Sequence, residues 1–319
     1  PRPRVAFFKL TLILTQSTSE ISRFCNLNDQ SWITAVIPLS KIPADAEPLT
    51  GFRRFFHESV LTLKLGIPVV IAQILLISMQ FVDTVMAGHV SARDLAALGI
   101  ATALFHPLLL LMVGVLMAVT PMVAQLKGSQ KDDRISKVVA DAMQLSLVFA
   151  LPLILLLHLL EPLMEFIGYP EEVSRIGDGY LQAVAWGVPA MLAYDVFRHF
   201  NEGVALTRPN MYFHIVGLML NILGNYTLMF GHFGFPAMGA VGAGWSTALV
   251  WNMMFLMMIL FSFKNSRLRK YLKLGDFFRI HLLNTREILR IGVPNGLSTG
   301  AETGPVSYTH LTLPTICSV

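Results

Sequence analysis

Long apolar runs separated by short polar segments dominate this 319-residue sequence. They lie at Leu65–Gly88, Ala96–Ala124, Val138–Leu160, Tyr180–Gly203, Met211–Phe230 and Gly242–Phe263, and a seventh begins near Ile291. A run of about 20 apolar residues crosses a hydrocarbon core of roughly 30 Å as a helix, because a helix satisfies its backbone hydrogen bonds within the segment. The pattern predicts an all-α polytopic membrane protein with six transmembrane helices and the start of a seventh.

The composition agrees with a chain that dissolves mostly in lipid. Hydrophobic residues make up 54% of the chain and charged residues 14%, whereas a soluble domain carries about a quarter charged residues. The two cysteines, Cys25 and Cys317, cannot supply a disulfide framework or a cysteine-based metal site. No two of the nine histidines lie three or four positions apart. We therefore expect a protein that is not an enzyme and that has no metal and no cofactor.

Basic residues are concentrated in every second loop. They precede the first span and follow the second, fourth and sixth, as Arg53, Arg54, Lys64, Lys127, Lys131, Arg134, Lys137, Arg208 and eight residues between Lys264 and Arg290. Because basic loops stay in the cytoplasm, we predict a multi-pass protein of the cell inner (plasma) membrane with a cytoplasmic amino terminus. Topology accounts for the net charge of +4, so we expect no nucleic-acid partner.

The two ends of the chain differ in character from its middle. The first methionine is Met79, inside the first apolar run, and residues 1–51 contain no run long enough to span a bilayer. After Gly304 the sequence changes to a Thr/Pro-rich tail typical of translated adaptor sequence. We expect residues 1–51 to be a non-native upstream segment and 305–319 an artefactual tail.

A short internal repeat predicts how the middle is organised. Lys64-Leu-Gly-Ile-Pro68 opens the first span, and Arg290-Ile-Gly-Val-Pro294 opens the seventh with the same order of residue types. Six spans lie between them, so both copies would enter the membrane in the same direction, as in a parallel repeat of six-helix units. We predict one six-helix lobe at 52–263, a basic cytoplasmic linker at 264–290, and the start of a second lobe at 291–304.

Four polar residues are expected at a similar depth in the outer half of the membrane. Asp83 lies in the first span, Asn221 and Asn225 share one face of the fifth, and Thr247 lies in the sixth. A carboxylate near the bilayer centre costs about 2.5–3.5 kcal/mol on insertion scales. Together these groups could form a site for a proton or a small cation. The alternatives are that Asp83 is solvated at the outer interface, and that the amides make packing hydrogen bonds.

Two further groups of charges lie in or beside spans. Asp195 and Arg198 are spaced to pair on one helix, where structural pairing is the favoured interpretation, and Glu202 lies near the cytoplasmic turn at Arg208. Glu302 lies about twelve residues beyond Arg290, near the expected midplane of the seventh helix. A lone glutamate at that depth favours a functional role.

These residues stand in motifs that resemble the amino-terminal lobe of multidrug and toxic compound extrusion (MATE) transporters of the NorM-like branch. The motifs are Phe81-Val-Asp-Thr-Val-Met-Ala-Gly-His89, Val188-Pro-Ala-Met, Glu202-Gly with Leu206-Thr-Arg-Pro209, Leu220-Asn-Ile-Leu-Gly-Asn225, and Gly231-His-Phe-Gly-Phe-Pro236 with Gly239-Ala-Val-Gly-Ala-Gly244. The resemblance runs from about Arg53 to Glu302.

The resemblance implies a twelve-helix antiporter of two lobes that exports cationic or amphipathic drugs in exchange for protons or sodium ions. It implies that Asp83 is a coupling residue, that Asn221 and Asn225 share its polar network, and that Glu302 belongs to a cation site of the second lobe. Glu202 and Thr247 complete our set of ion-coupling or substrate residues. The rest of the second lobe is absent from this sequence, so we expect the chain to be inactive alone and to need the missing carboxy-terminal lobe, in contact with membrane lipid.

Other functions fit the sequence less well. A lipid-linked saccharide flippase of related architecture stays open, because sequence physics separates it poorly from a drug antiporter. A membrane-embedded lipid transferase would need an acidic metal-binding cluster, which the sequence lacks. Gly296-Leu-Ser-Thr-Gly300 fits a hydrolase nucleophile pattern, but no strand precedes it and no acid or histidine partner can be placed.

Overall fold

The computed structural model describes residues 51–279 and 282–316, with side chains described for most positions between 58 and 301. In these ranges the chain forms helices and no strand. The helices are α1 (Gly51–Val90), α2 (Ala92–Leu116), α3 (Val119–Gly128), α4 (Asp132–His158), α5 (Leu160–Ile167), α6 (Glu171–Ala185), α7 (Val188–Gly203), α8 (Arg208–Leu228), α9 (Ala240–Lys264), α10 (Ser266–Arg269) and α11 (Leu282–Ile316), with a 3₁₀ helix at Leu274–Phe278. The prediction of an all-α polytopic membrane protein is confirmed.

Four helical segments within the described ranges are long and apolar enough to cross a membrane: Glu58–Val90, Ala92–Gly128, Asp132–His158 and Ala240–Lys264. The other two predicted spans correspond to the pair α6–α7 and to α8. These helices are less apolar because they carry buried polar side chains, such as Asp195 and Arg198 on α7 and Asn221 on α8. The residues that lower the hydropathy of these two spans are thus the same polar residues that the sequence analysis singled out.

Two of the predicted spans are interrupted, where the sequence predicted continuous helices. One break separates α2 from α3 at Met117–Ala118, and the other separates α6 from α7 at Trp186–Gly187. Each following helix has a proline in its first turn, Pro121 or Pro189. A proline removes the hydrogen bond to the carbonyl four residues earlier and its ring clashes with that carbonyl, so each helix is interrupted just before its proline.

The segment α7 lies at the centre of the bundle. Its side chains Tyr194, Phe197 and Phe200 are among the largest that are fully buried, and α7 contacts α3, α4 and α9. The helix α8 packs between α1 and α9, while α9 packs against α6 and α7. This arrangement faces the polar side chains of α8 toward α1 and those of α7 toward the interior.

The basic segments lie together at one end of the bundle. The Lys127 ammonium donates to the Val204 carbonyl at 2.5 Å, and the Lys273 ammonium lies 2.6 Å from an Asp133 oxygen. The Asp133 carboxylate raises the pKa of Lys273 through this contact. At the other end Arg93 pairs with Glu172. The positions agree with the predicted topology, and the compartment that each end faces stays a prediction.

The helix α11 packs along α2, and the two backbones approach each other closely at Gly114 and Gly296. A Cβ atom added to Gly296 would lie 2.5 Å from the Leu111 carbonyl oxygen, and one added to Gly114 would lie 2.5 Å from the Gly296 Cα. The helix continues to Ile316, so the boundary that we expected at Gly304 is not the end of a helix. The origin of 305–319 stays a prediction, and residues 1–50 lie outside the described ranges.

Candidate functional site

The Asp83 carboxylate lies inside the bundle, where α1 meets α8. The residue is 8% exposed, so it is buried among the helices. Its Oδ1 atom accepts hydrogen bonds from Asn221 Nδ2 at 2.9 Å and from Asn225 Nδ2 at 2.6 Å. The two amides reach the same oxygen because they are four residues apart and therefore share one face of α8. The structure thus brings three of the sequence-predicted site residues into direct contact.

A fourth predicted residue closes the group from α9. The Thr247 hydroxyl lies 3.5 Å from Asp83 Oδ2, which is a long contact compared with the two amide bonds. The Asn225 Oδ1 atom is buried and has no hydrogen-bond donor among the described residues. Within the described ranges, two oxygen atoms are therefore available to a proton or a cation: Asn225 Oδ1, which has no donor, and Asp83 Oδ2, which has only the long contact to Thr247.

The site opens onto a cavity of about 590 Å³. Its polar lining includes Asp83, Gln80 and His106, and its apolar lining includes Met191 and Trp251. A cavity of this size with mostly apolar walls and a few polar groups is typical of a site for a small molecule. It lies between α1, α2, α6, α7, α8, α9 and α11, and Met117 and Gly187 at the two helix breaks are among its lining residues.

One cavity contact was missed by the sequence reasoning. The Gln80 Nε2 atom lies 2.6 Å from the His106 Nε2 atom, so an amide and an imidazole face the cavity next to Asp83. Gln80 lies three residues before Asp83 and therefore on the same face of α1. That spacing could have predicted that Gln80 faces the cavity. The position of His106 could not be predicted in this way, because it depends on how α2 is rotated about its axis.

A second polar cluster lies further along the same cavity on α7. The Arg198 guanidinium donates to Asp195 Oδ1 at 2.7 Å and lies 3.7 Å from a Glu202 oxygen. The His199 ring lies 3.3 Å from Glu202 Oε2 and 3.1 Å from the Thr120 hydroxyl. The Asp195–Arg198 pairing agrees with the structural interpretation given above.

This cluster separates Glu202 from the other predicted site residues. The Glu202 side chain contacts Arg198 and His199 rather than the Asp83 group, although Glu202 and Asp83 line one cavity. Glu302 lies on α11, but its side chain lies outside the described residues. The structure therefore assembles Asp83, Asn221, Asn225 and Thr247 and leaves Glu202 in a different group of charges.

The four side chains of the Asp83 group offer oxygen atoms as potential ligands. The described residues contain no group of three His, Cys, Asp or Glu side chains that could hold a metal ion. The potential ligands are one carboxylate, two amide oxygens and one hydroxyl. Oxygen ligands of this kind bind hard cations, and a single carboxylate can alternatively take up one proton.

Comparison with known proteins agrees with this architecture. The NorM multidrug resistance protein of Photobacterium profundum is 42% identical over 208 residues, which are 65% of this chain and 46% of NorM. NorM of Aliivibrio fischeri is 37% identical over 245 residues, 77% of this chain and 53% of its own. The chain therefore spans about half the length of the curated relatives it matches.

A solved structure and a family model extend the comparison. The crystal structure of the eukaryotic MATE transporter AtDTX14 superposes with a TM-score of 0.72 at 17% identity, covering 81% of this chain and 57% of AtDTX14. At that identity the match shows the fold alone. The model of the MatE family matches residues 68–227, which contain Asp83, Asn221 and Asn225 and make up half of the sequence. The chain therefore belongs to the MatE family.

Proposed function

We propose that this chain supplies one six-helix lobe of a secondary antiporter that exports cationic or amphipathic compounds in exchange for protons or sodium ions. The observation that carries the proposal is the buried Asp83 carboxylate, held by two amides on the wall of a 590 Å³ cavity. Burial of an acidic side chain within a membrane span costs free energy, so its presence there favours a functional role. The names of the relatives, multidrug resistance proteins, supply the substrate class.

The ion step that we propose uses the oxygen atoms of the Asp83 group. A proton would bind to the Asp83 carboxylate, or a sodium ion would bind between this carboxylate, the Asn225 Oδ1 atom and the Thr247 hydroxyl. Either ion removes a negative charge from the cavity wall, which weakens the attraction for a bound cationic compound. Ion entry and release of the compound are then thermodynamically linked, since a coupling between two sites acts equally in both directions.

The proposal places the protein in the inner membrane with a cytoplasmic amino terminus, and gives membrane lipid and a second lobe as its partners. Alternating access in repeat transporters moves one repeat against the other around a central site. We expect the 319-residue chain in liposomes to bind ions without moving dye along an imposed gradient. Dye movement should appear when the chain is joined to the half of a relative that it does not match.

The experiment compares Asp83→Asn with Asp178→Asn in the purified full chain. Asp178 is a matched control because it is also a buried carboxylate, also 8% exposed, and does not line the cavity. Thermal unfolding is followed by tryptophan fluorescence over a sodium titration at fixed pH and over a pH titration without sodium. A bound ion stabilises by RT ln(1 + [L]/Kd), about 1.4 kcal/mol at tenfold excess over Kd.

We expect the ion-dependent rise in the unfolding temperature in the wild type and in Asp178→Asn, and its loss in Asp83→Asn. The two titrations separate sodium from protons. An unchanged ion response in Asp83→Asn would reject the coupling role. Loss of the response in both variants would show that any buried carboxylate produces it, which would also reject the Asp83 site.

A further inference from the structure

A second cavity of about 260 Å³ lies at the basic end of the bundle, away from Asp83. It is formed by the end of α3, the turn between α7 and α8, and the segment that follows α9. Its lining residues are Lys127, Val204, Ala205, Leu206, Arg267, Leu268, Lys270 and Tyr271. This set combines three cations with apolar side chains and contains no carboxylate.

The three cations are only partly compensated. The Lys127 ammonium donates to the Val204 carbonyl at 2.5 Å, which satisfies one of its donors without neutralising its charge. The Lys270 ammonium lies 3.8 Å from Asp132 and 4.3 Å above the Tyr271 ring, where it is more than half exposed. Among the described residues no acidic side chain pairs with the Arg267 guanidinium. By contrast Lys273, outside the cavity, is paired with a carboxylate at 2.6 Å.

The wall of this cavity is held in place by packing. Leu268 and Tyr271 are buried, although they belong to a short connecting segment rather than to a span. The Tyr271 ring packs edge-on against Phe200 at 6.4 Å, and the backbone amide of Lys273 donates to the Ser136 hydroxyl at 2.9 Å. The backbone that carries Arg267 and Lys270 is therefore fixed against the bundle.

The cavity also lies where membrane lipid headgroups are expected. The spanning segments Ala92–Gly128 and Ala240–Lys264 both end beside it. A basic pocket between the ends of transmembrane helices attracts anionic headgroups, and a tyrosine is favoured at the same level. The guanidinium of an arginine matches the geometry of a phosphate with two parallel hydrogen bonds. The volume of about 260 Å³ corresponds to about nine water molecules, enough for a phosphate with its glycerol link.

We propose that this cavity binds the phosphodiester headgroup of an anionic membrane phospholipid. Arg267, Lys270 and Lys127 hold the phosphate oxygens, and Leu206 with Leu268 lies against the glycerol end of the lipid. A soluble phosphate shares the ionic chemistry, but it does not use the apolar half of the lining. The inference is independent of the ion site, because none of the residues that line this cavity contacts Asp83.

The experiment measures lipid retention by the purified full chain in neutral detergent, using native mass spectrometry. Phosphatidylglycerol is compared with phosphatidylethanolamine, and a separate arm adds inorganic phosphate in large excess. The test variant is Arg267→Gln/Lys270→Gln, since both side chains are exposed and we expect their replacement to leave the fold intact. The control variant is Lys264→Gln/Arg269→Gln, which removes the same charge from the same segment but from residues that do not line the cavity.

We expect phosphatidylglycerol to bind in preference to phosphatidylethanolamine. The affinity for phosphatidylglycerol should be at least tenfold lower in the test variant than in the wild type, and within threefold of the wild type in the control variant. The expectation follows because a hydrogen bond to a charged group contributes about 1.5–3 kcal/mol, or tenfold or more in affinity. Equal losses in the two variants would mean diffuse attraction by the basic segment and would refute the site. Equal binding of the two lipids would refute it as well. Displacement of phosphatidylglycerol by inorganic phosphate would assign the cavity to a soluble anion instead.

Discussion

Replacement of Arg198 tests whether the charges on α7 act as one buried unit. In Arg198→Met the guanidinium is lost at a position that is 9% exposed, while the Asp195 oxygen at 2.7 Å and the Glu202 oxygen at 3.7 Å stay in place. Two carboxylates then lie in one cavity without a counterion. Breaking a buried pair by removing one partner costs about 3–5 kcal/mol. We expect the lower end of that range, because Asp195 and Glu202 line a cavity rather than a closely packed interior.

The partner substitution has a smaller expected cost. In Asp195→Asn the guanidinium keeps Glu202 as a counterion and loses one charged hydrogen bond, which costs about 1.5–3 kcal/mol. The double variant Arg198→Met/Asp195→Asn leaves only Glu202 without a counterion, whereas Arg198→Met leaves both carboxylates without one. The double variant should therefore be more stable than the sum of the single effects predicts. We expect a coupling free energy of at least about 1.5 kcal/mol from this double-mutant cycle.

The assay is reversible unfolding of the four proteins in mixed micelles with increasing dodecyl sulfate. Tryptophan fluorescence follows the transition, and Trp251 contributes a signal from this region because its ring lies 5.6 Å from the Tyr194 ring next to Asp195. The measurement is repeated at high salt, which should change the coupling little, since buried pairs are screened much less than exposed ones. Effects that add within about 0.5 kcal/mol would refute a coupled ion pair, and so would a coupling that vanishes with salt.

Two other substitutions test the packing that positions the site, with the same unfolding assay. Asp94 accepts the Ala240 amide at 2.7 Å from a neighbouring helix, so Asp94→Ala should cost about 1–2 kcal/mol as the loss of a helix cap. Asp94→Asn, which keeps an acceptor oxygen, should cost less than half as much, and equal costs would contradict the capping role. Gly296→Leu should cost about 1–3 kcal/mol by overpacking against α2. Gly300→Leu is its control, because a Cβ there lies 3.7 Å from its nearest neighbour, and equal losses in the two variants would contradict the close approach.

The sequence was most informative about residues whose depth and helix face follow from spacing alone. Asn221 and Asn225 share a face because they are four residues apart, and the count along each helix placed them level with Asp83. The contact between these residues required only that α8 face α1. The grouping of Glu202 with them used motif membership rather than geometry, and the structure instead puts Glu202 beside Arg198.

The sequence was least informative where the outcome depends on rotation or on packing between distant segments. The contact between Gln80 and His106 requires a particular rotation of α2. The breaks before Pro121 and Pro189 lie in apolar runs that hydropathy treats as continuous. The segment after α9 was interpreted only through its charge, yet Leu268 and Tyr271 pack into the bundle and form a cavity wall.

The close approach of α11 to α2 determines how these two helices can separate. At Gly114 and Gly296 backbone meets backbone, and a hydrogen bond of 3.1 Å from the Asn295 side chain to the Gly114 carbonyl adds to this contact. Dispersion attraction between atoms falls steeply over a fraction of an ångström. A gap of about 0.5–1 Å therefore removes about a quarter to a half of the dispersion attraction at these contacts. The seam thus favours complete closure of α11 on α2 over partial separation of the two helices.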